Sequence, residues 1–214
     1  MSPPGLRRLT VTARPPPPNL PPLPLKTFLL SFALAFIAPF ALLQDTQHPE
    51  AKAPAIQAAP ITVIALRHAE KGKDDPRDPH LSETGTARAA ELARLLGNAG
   101  VTHIYTTPYH RTRDTVTPLA EALELEVSPY DPFELANFAA QLATLEPGSV
   151  AVVSGHSNTT PALVELLGGT VANVGSQWGQ PTLDESEYDR AFLVTLATEH
   201  TAAKAVELRY GAAK

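Results

Sequence analysis

From Ile61 to Tyr210, short β-branched runs alternate with segments whose apolar residues recur at helical spacing. Few topologies can bury both kinds of element at once. Ile61 to Leu66 is the first run and reads as a buried strand. Ala89, Leu92, Ala93 and Leu96 then fall at i, i+3, i+4 and i+7, behind Ser82 as a helix cap and ahead of Gly97 and Gly100 as stops. Thr102 to Thr106 is the next strand. Val116, Leu119, Ala120 and Leu123 repeat the helical spacing, and so do Leu135, Phe138, Ala139 and Leu142. Ser149 to Ser154 is a strand centred on four small apolar residues. A helix follows, with Thr160 as its cap and Pro161 in its first turn. Ala191 to Ala197 and Ala203 to Tyr210 read as two further strands. The alternation predicts an α/β fold: a mostly parallel central sheet with helices on both faces.

The front of the chain has another character. Residues 1–43 form a basic, proline-rich leader that ends in the apolar run Phe28 to Leu43. Pro15 to Pro18, Pro21, Pro22 and Pro24 lock φ and lack an N–H, which favours extended chain over a packed core. A helix over the apolar run would span about 24 Å, against about 30 Å for a bilayer's hydrocarbon core. The run suits the apolar region of a secretory signal, although no small-x-small cleavage site stands out. The expectation is export to a periplasmic or other extracytoplasmic space, with residues 28–43 either removed or kept as a membrane anchor. Residues 44–60, rich in Ala, Pro and Gln, read as a linker, and residues 61–214 as the folded domain.

Charge narrows the function. Before Asp45 the chain carries four basic residues and no acidic one; from Asp45 on, 22 acidic residues face 13 basic ones. An acidic body argues against a nucleic-acid partner, whose counterions must be displaced by clustered positive charge. The chain has no cysteine, which excludes disulfides and Cys-ligated zinc.

Three loops carry the chemistry. In parallel sheets ligands bind outside the carboxyl ends of the strands. The first strand runs into Arg67-His68-Ala69-Glu70. The second runs into Thr107-Pro-Tyr-His-Arg111-Thr-Arg-Asp-Thr115. The strand ending at Ser154 runs into Gly155-His156-Ser157-Asn158. Two histidines and at least two arginines should therefore gather on one edge of the sheet. Arginine offers a planar fork of donors matched to phosphate oxygens. A neutral imidazole can attack phosphorus, and a second, protonated one can neutralise an equatorial oxygen. Such a site needs no metal and no cofactor, because cationic side chains supply the positive charge.

These three blocks, in this order and each after a strand, resemble those of the histidine phosphatase (phosphoglycerate mutase-like) superfamily. Leu66-Arg67-His68-Ala69-Glu70 is similar to its Arg-His-Gly signature, with Ala69 in place of glycine. Leu81-Ser-Glu-Thr-Gly85 also fits, and the likeness covers about residues 61 to 210. The resemblance implies His68 as a nucleophile that becomes transiently phosphorylated, with Arg67, Arg111 and His156 forming the phosphate pocket. Arg113, two residues along a helix from Arg111, should face elsewhere. His48, His80, His103 and His110 lack such support and read as ordinary polar residues.

A leaving alcohol needs a proton, and a carboxylic acid is the usual donor. Glu134 lies where many superfamily members carry a glutamate, and it equally suits the N-terminus of the helix that begins there. Glu70 follows the signature and could line the pocket or orient an arginine. The polar segment Gly168 to Asp189, with Trp178, either flanks the substrate opening or is a long connection with one packed aromatic. The implied activity is metal-independent hydrolysis of a phosphomonoester, on a small molecule or a phosphoprotein. The alternatives are mutase-type phosphoryl transfer, for whose substrate-enclosing insertions this body leaves little room, and a non-catalytic phosphate-binding module.

Overall fold

The structure, a computed structural model, describes residues 58–211. The leader, nearly all of the linker, the apolar run 28–43 and His48 lie outside the described residues. No helix among the described residues is long and apolar enough to cross a membrane.

The elements follow in the order β1 (Thr62–Arg67), α1 (Glu83–Leu96), β2 (His103–Thr106), α2 (His110–Leu123), β3 (Val127–Pro129), α3 (Leu135–Leu142), β4 (Val150–Gly155), α4 (Thr159–Leu166), β5 (Gly175–Gln177), β6 (Gln180–Thr182), β7 (Arg190–Thr195) and β8 (Lys204–Arg209). Six strands form one sheet in the order β3-β2-β4-β1-β7-β8. The first four are parallel, and β7 and β8 are added antiparallel. This is the mostly parallel α/β sheet that the sequence pattern predicts.

Strand alternation divides the core in two. Val63 and Ala65 of β1 pack on one face with Phe138 and Leu142 of α3 and Leu163 and Val164 of α4. Ile64 and Leu66 point the other way, to Leu92 of α1 and Val116 and Leu119 of α2. A strand apolar on both sides is stable only when both faces are covered, as here. The β1, β4 and β2 strands lie side by side at the centre of the sheet. The three loops that leave their carboxyl ends are therefore neighbours.

Some local details differ from the sequence expectation. Asn158, not Thr160, is the N-cap of α4, while Pro161 falls in the helix's first turn as expected. The edge strand β3 was not predicted. It has three residues, too few to show a period, and ends on a proline, which the sheet edge tolerates. The segment 168–189 contains the hairpin β5–β6, turned by Trp178 and Gly179, both at positive φ (52° and 79°). The expectation of a packed aromatic is corrected: Trp178 is 92% exposed.

Candidate active site

His68 sits one residue beyond β1, and its N–H continues the parallel ladder by donating to the carbonyl of Gly155 at 2.9 Å. This bond ties the first loop to the loop that carries His156. The next amide, Ala69, donates to Thr115 Oγ1 at 2.8 Å, and the Thr115 hydroxyl donates to the carbonyl of Arg111 at 2.7 Å. The α2 block is thereby fixed against the β1 loop. Thr159 Oγ1 accepts from the His156 N–H at 2.9 Å and sets the entry into α4.

The imidazole of His68 is 4% exposed. Its Nδ1 donates to the carbonyl of Ala69 at 2.7 Å, which leaves Nε2 as the nitrogen with a free lone pair. Burial, above all, pushes its pKa down to about 3; Arg67, His156 and Arg111 repel a proton as well, while the bond to Ala69 acts against them. The ring is neutral at ordinary pH, as a nucleophile must be.

Four of the six residues singled out from the sequence line one hollow of about 340 Å³: Arg67, His68, Arg111 and His156. The two imidazoles stand edge to face with centroids 5.6 Å apart. His156 shares a hydrogen bond between Nε2 and Thr107 Oγ1 at 3.0 Å. Its pKa is pushed down to about 4, by burial first and then by Arg111 and Arg67. At ordinary pH His156 is thus neutral, not the protonated ring of the sequence expectation. An anion seated beside it would supply the charge that favours protonation.

The two guanidinium groups are held differently. Arg67 is buried, and Nη1 donates to the carbonyls of Asp184 (2.9 Å) and Glu187 (3.2 Å), while Nη2 meets Glu185 Oε2 at 2.7 Å. Its Cζ lies 4.2 Å over the ring of Tyr188, and its buried Nε has no hydrogen-bond partner. Arg111 stacks 4.5 Å over Tyr109 and touches Asp78 and the carbonyl of Arg77 only at 3.5 Å. Most of its fork is uncommitted. The entry into α4 completes the wall, since Ser157, the N-cap Asn158 and the first helical residue Thr159 also line the hollow. A helix N-terminus there adds partial positive charge. Arg113 is exposed, as expected for its place on α2.

The two glutamates lie elsewhere. Glu70 does not line the hollow; it turns onto Arg88 in a bidentate pair at 2.9 and 2.8 Å, and Arg88 also donates to the carbonyl of Tyr210 at 2.7 Å. Glu134 is exposed at the cap of α3, with Oε2 accepting from Asn137 at 2.7 Å. The acid that does line the hollow is Glu185, on the connection between β6 and β7. Sequence reasoning missed it, together with Tyr188, Tyr109 and Lys71. Its one signal was its place in the polar segment that could flank the opening. His80 and His110 stack at 4.2 Å near the hollow, with His80 bonded to Asp114 at 2.7 Å. Among the described residues no group of three or more His, Asp or Glu side chains is placed to hold a metal ion. A larger cleft of about 950 Å³ lies at the opposite end of the sheet, around Ile61, α3 and Leu196; its lining is mainly alanine, leucine and proline and includes none of the arginines and histidines of the three loops.

Two imidazoles and two guanidinium groups around one hollow form a cluster whose chemistry suits a phosphoryl group. Residues 63–139 match the family model of the histidine phosphatase superfamily (branch 1). The chain's fold is similar to the solved structure of the protein histidine phosphatase SixA in complex with tungstate, with 17% identity over 69% of this chain and 96% of that one and a TM-score of 0.53. A mycobacterial glucosyl-3-phosphoglycerate phosphatase is also similar, with 16% identity over 72% of this chain and 99% of that one and a TM-score of 0.50. At these identities the likeness is one of fold. No curated protein matches the chain.

Proposed function

We propose that the chain hydrolyses phosphomonoesters through a phosphohistidine on His68, without a metal ion. The observation that carries this reading is the bond from His68 Nδ1 to the carbonyl of Ala69, which aims the lone pair of Nε2 away from the backbone within a hollow lined by Arg67, Arg111 and His156. Nε2 attacks phosphorus in line, and the bond to the leaving oxygen breaks. Arg67 and Arg111 bind the equatorial oxygens, and His156 donates to them as charge accumulates. Water then attacks the phosphohistidine and releases phosphate. Arg67 is well suited to clamp the group, because its two backbone acceptors and Tyr188 fix the plane of its fork. The match of residues 63–139 to the histidine phosphatase family model supports the reaction class.

The substrate class proposed is a small phosphorylated molecule or a phosphoprotein, and the place of action an extracytoplasmic one. The test is turnover of p-nitrophenyl phosphate by the wild-type chain and by His68→Ala, together with trapping of a radiolabelled, acid-labile phosphoenzyme. The expected result is loss of both signals in the variant while its circular dichroism is unchanged. Equal turnover by the two proteins would remove His68 as the nucleophile.

A further inference from the structure

We propose that Glu185 carries the protons of this reaction, as the acid toward the leaving oxygen and then as the base toward water. The inference rests on the phosphohistidine reading above. Among the described residues that line the hollow, Glu185 is the only carboxylate. The two carboxylates nearer the sequence blocks are committed elsewhere, Glu70 to Arg88 and Glu134 to Asn137.

The placement of Glu185 fits an in-line displacement. His68 is buried at the floor of the hollow, whereas the Glu185 side chain is 72% exposed, at its mouth. With the nucleophile at the floor, the leaving group must point outward. The water of the second step arrives along the same line. Glu185 spans the mouth, with Oε2 on Arg67 Nη2 at 2.7 Å and Oε1 accepting from Ser157 Oγ at 3.2 Å. Its backbone is fixed to both walls. The carbonyl of the preceding residue, Asp184, accepts from Arg67, and the Leu183 N–H donates to the carbonyl of Ser157 at 2.9 Å. A phosphoryl group on Arg67 therefore meets this carboxyl at once.

The proton balance closes. A phosphoryl group that takes over the Arg67 donor lies beside the Glu185 carboxyl, within reach of a proton transfer. In the first step the His68 Nε2–P bond forms, the P–O bond to the alcohol breaks, and the Glu185 carboxyl gives its proton to the departing oxygen. In the second step the Glu185 carboxylate takes a proton from water as its oxygen bonds to phosphorus. The N–P bond breaks, and its electron pair returns to His68. Ester and water become alcohol and phosphate, and the carboxyl is protonated again.

The experiment compares the wild-type chain, Glu185→Gln and Glu185→Asp on p-nitrophenyl, phenyl and simple alkyl phosphates, in steady state and in the first turnover. A nitrophenolate leaves without a proton, whereas an alkoxide does not. Glu185→Gln is expected to form the phosphoenzyme from p-nitrophenyl phosphate at nearly the wild-type rate. It should then stall, giving a burst, and lose about 100-fold or more on alkyl phosphates. Glu185→Asp should restore part of both steps. A uniform loss across the three substrates with no burst would overturn the proposal and leave Glu185 as a brace for Arg67. Failure of the wild-type chain to label His68 would instead sink the phosphohistidine reading beneath it.

Discussion

The Nδ1–H of His68 is bonded to the carbonyl of its own chain neighbour, Ala69, at 2.7 Å. Backbone, rather than a second side chain, sets which nitrogen is free. A carbonyl cannot titrate, so the orientation of the ring is insensitive to pH where a carboxylate partner would not be. The nucleophile also stays neutral well into the acid range, because burial holds its pKa near 3.

That burial links stability to pH. Unfolded, His68 and His156 bind protons near pH 6.5; folded, they resist until about 3 and 4. Between these values the unfolded chain holds more protons, so stability is complete above about pH 6.5 and drains as pH falls through the window. His80 works in the opposite direction, since Asp114 raises its pKa, but it lies in solvent and its share is small. Urea unfolding at about pH 7.5 and about pH 4.5 should show a clear fall in stability at the lower pH, and a smaller fall in His68→Gln. Saturating phosphate should also shrink the fall, because a bound dianion favours the protonated rings. Superimposable wild-type curves at the two pH values would contradict the buried, neutral pair.

Glu70 and Arg88 form a second buried relationship, with side chains 12% and 5% exposed and two parallel hydrogen bonds. Arg88 also holds the carbonyl of Tyr210, so the pair links the turn after His68 to the end of β8. Removing one partner strands the other charge away from water. Arg88→Met should therefore cost about 3–5 kcal/mol in chemical denaturation. The double variant Glu70→Gln, Arg88→Met should recover much of that loss, since neither member is then charged. A single variant as stable as the wild type would mean that the pair is open to solvent.

What could be read in advance follows from where information sits in the chain. His68 and His156 directly follow β1 and β4, Arg111 lies in the first turn of α2 just past β2, and adjacency in the sheet brings the three segments together. The alternation of strands and helices was enough to predict that edge without any strand order. Direction was harder. Glu70 and Glu185 are both glutamates on connections near the hollow, and nothing local says that one turns to Arg88 on α1 while the other reaches Arg67. Arg88 itself lies on an amphipathic helix, yet it is buried, with Tyr210 and Gly211, just beyond β8, against it. Glu185 belongs to a polar segment without period, and its position is set by Arg67 and Ser157, far away in sequence. Contacts of this kind exist only after the sheet has formed.

Gly85, in the first turn of α1, lies so close to the backbone of Glu70 that a Cβ there would run into the Glu70 carbonyl. That carbonyl accepts from the Ser82 N–H at 2.9 Å and from Ser82 Oγ at 3.2 Å, so it is pinned from two sides and cannot move aside. The Ser82 Oγ also accepts from the Gly85 N–H at 3.2 Å, which caps the helix at the same spot. A methyl group must therefore push α1 away from the turn that follows His68. Gly85→Ala, although a helix position would ordinarily welcome alanine, is expected to lose about 1–3 kcal/mol as overpacked sites do. It should also lower turnover more than it raises KM, because the displaced turn contains the carbonyl that orients the His68 ring. Gly175→Ala is the control, since an added methyl there meets only an ordinary contact. Denaturation midpoints and steady-state kinetics on the two variants decide the matter: a Gly85→Ala protein as stable and as active as Gly175→Ala would show that α1 does not press on the catalytic turn.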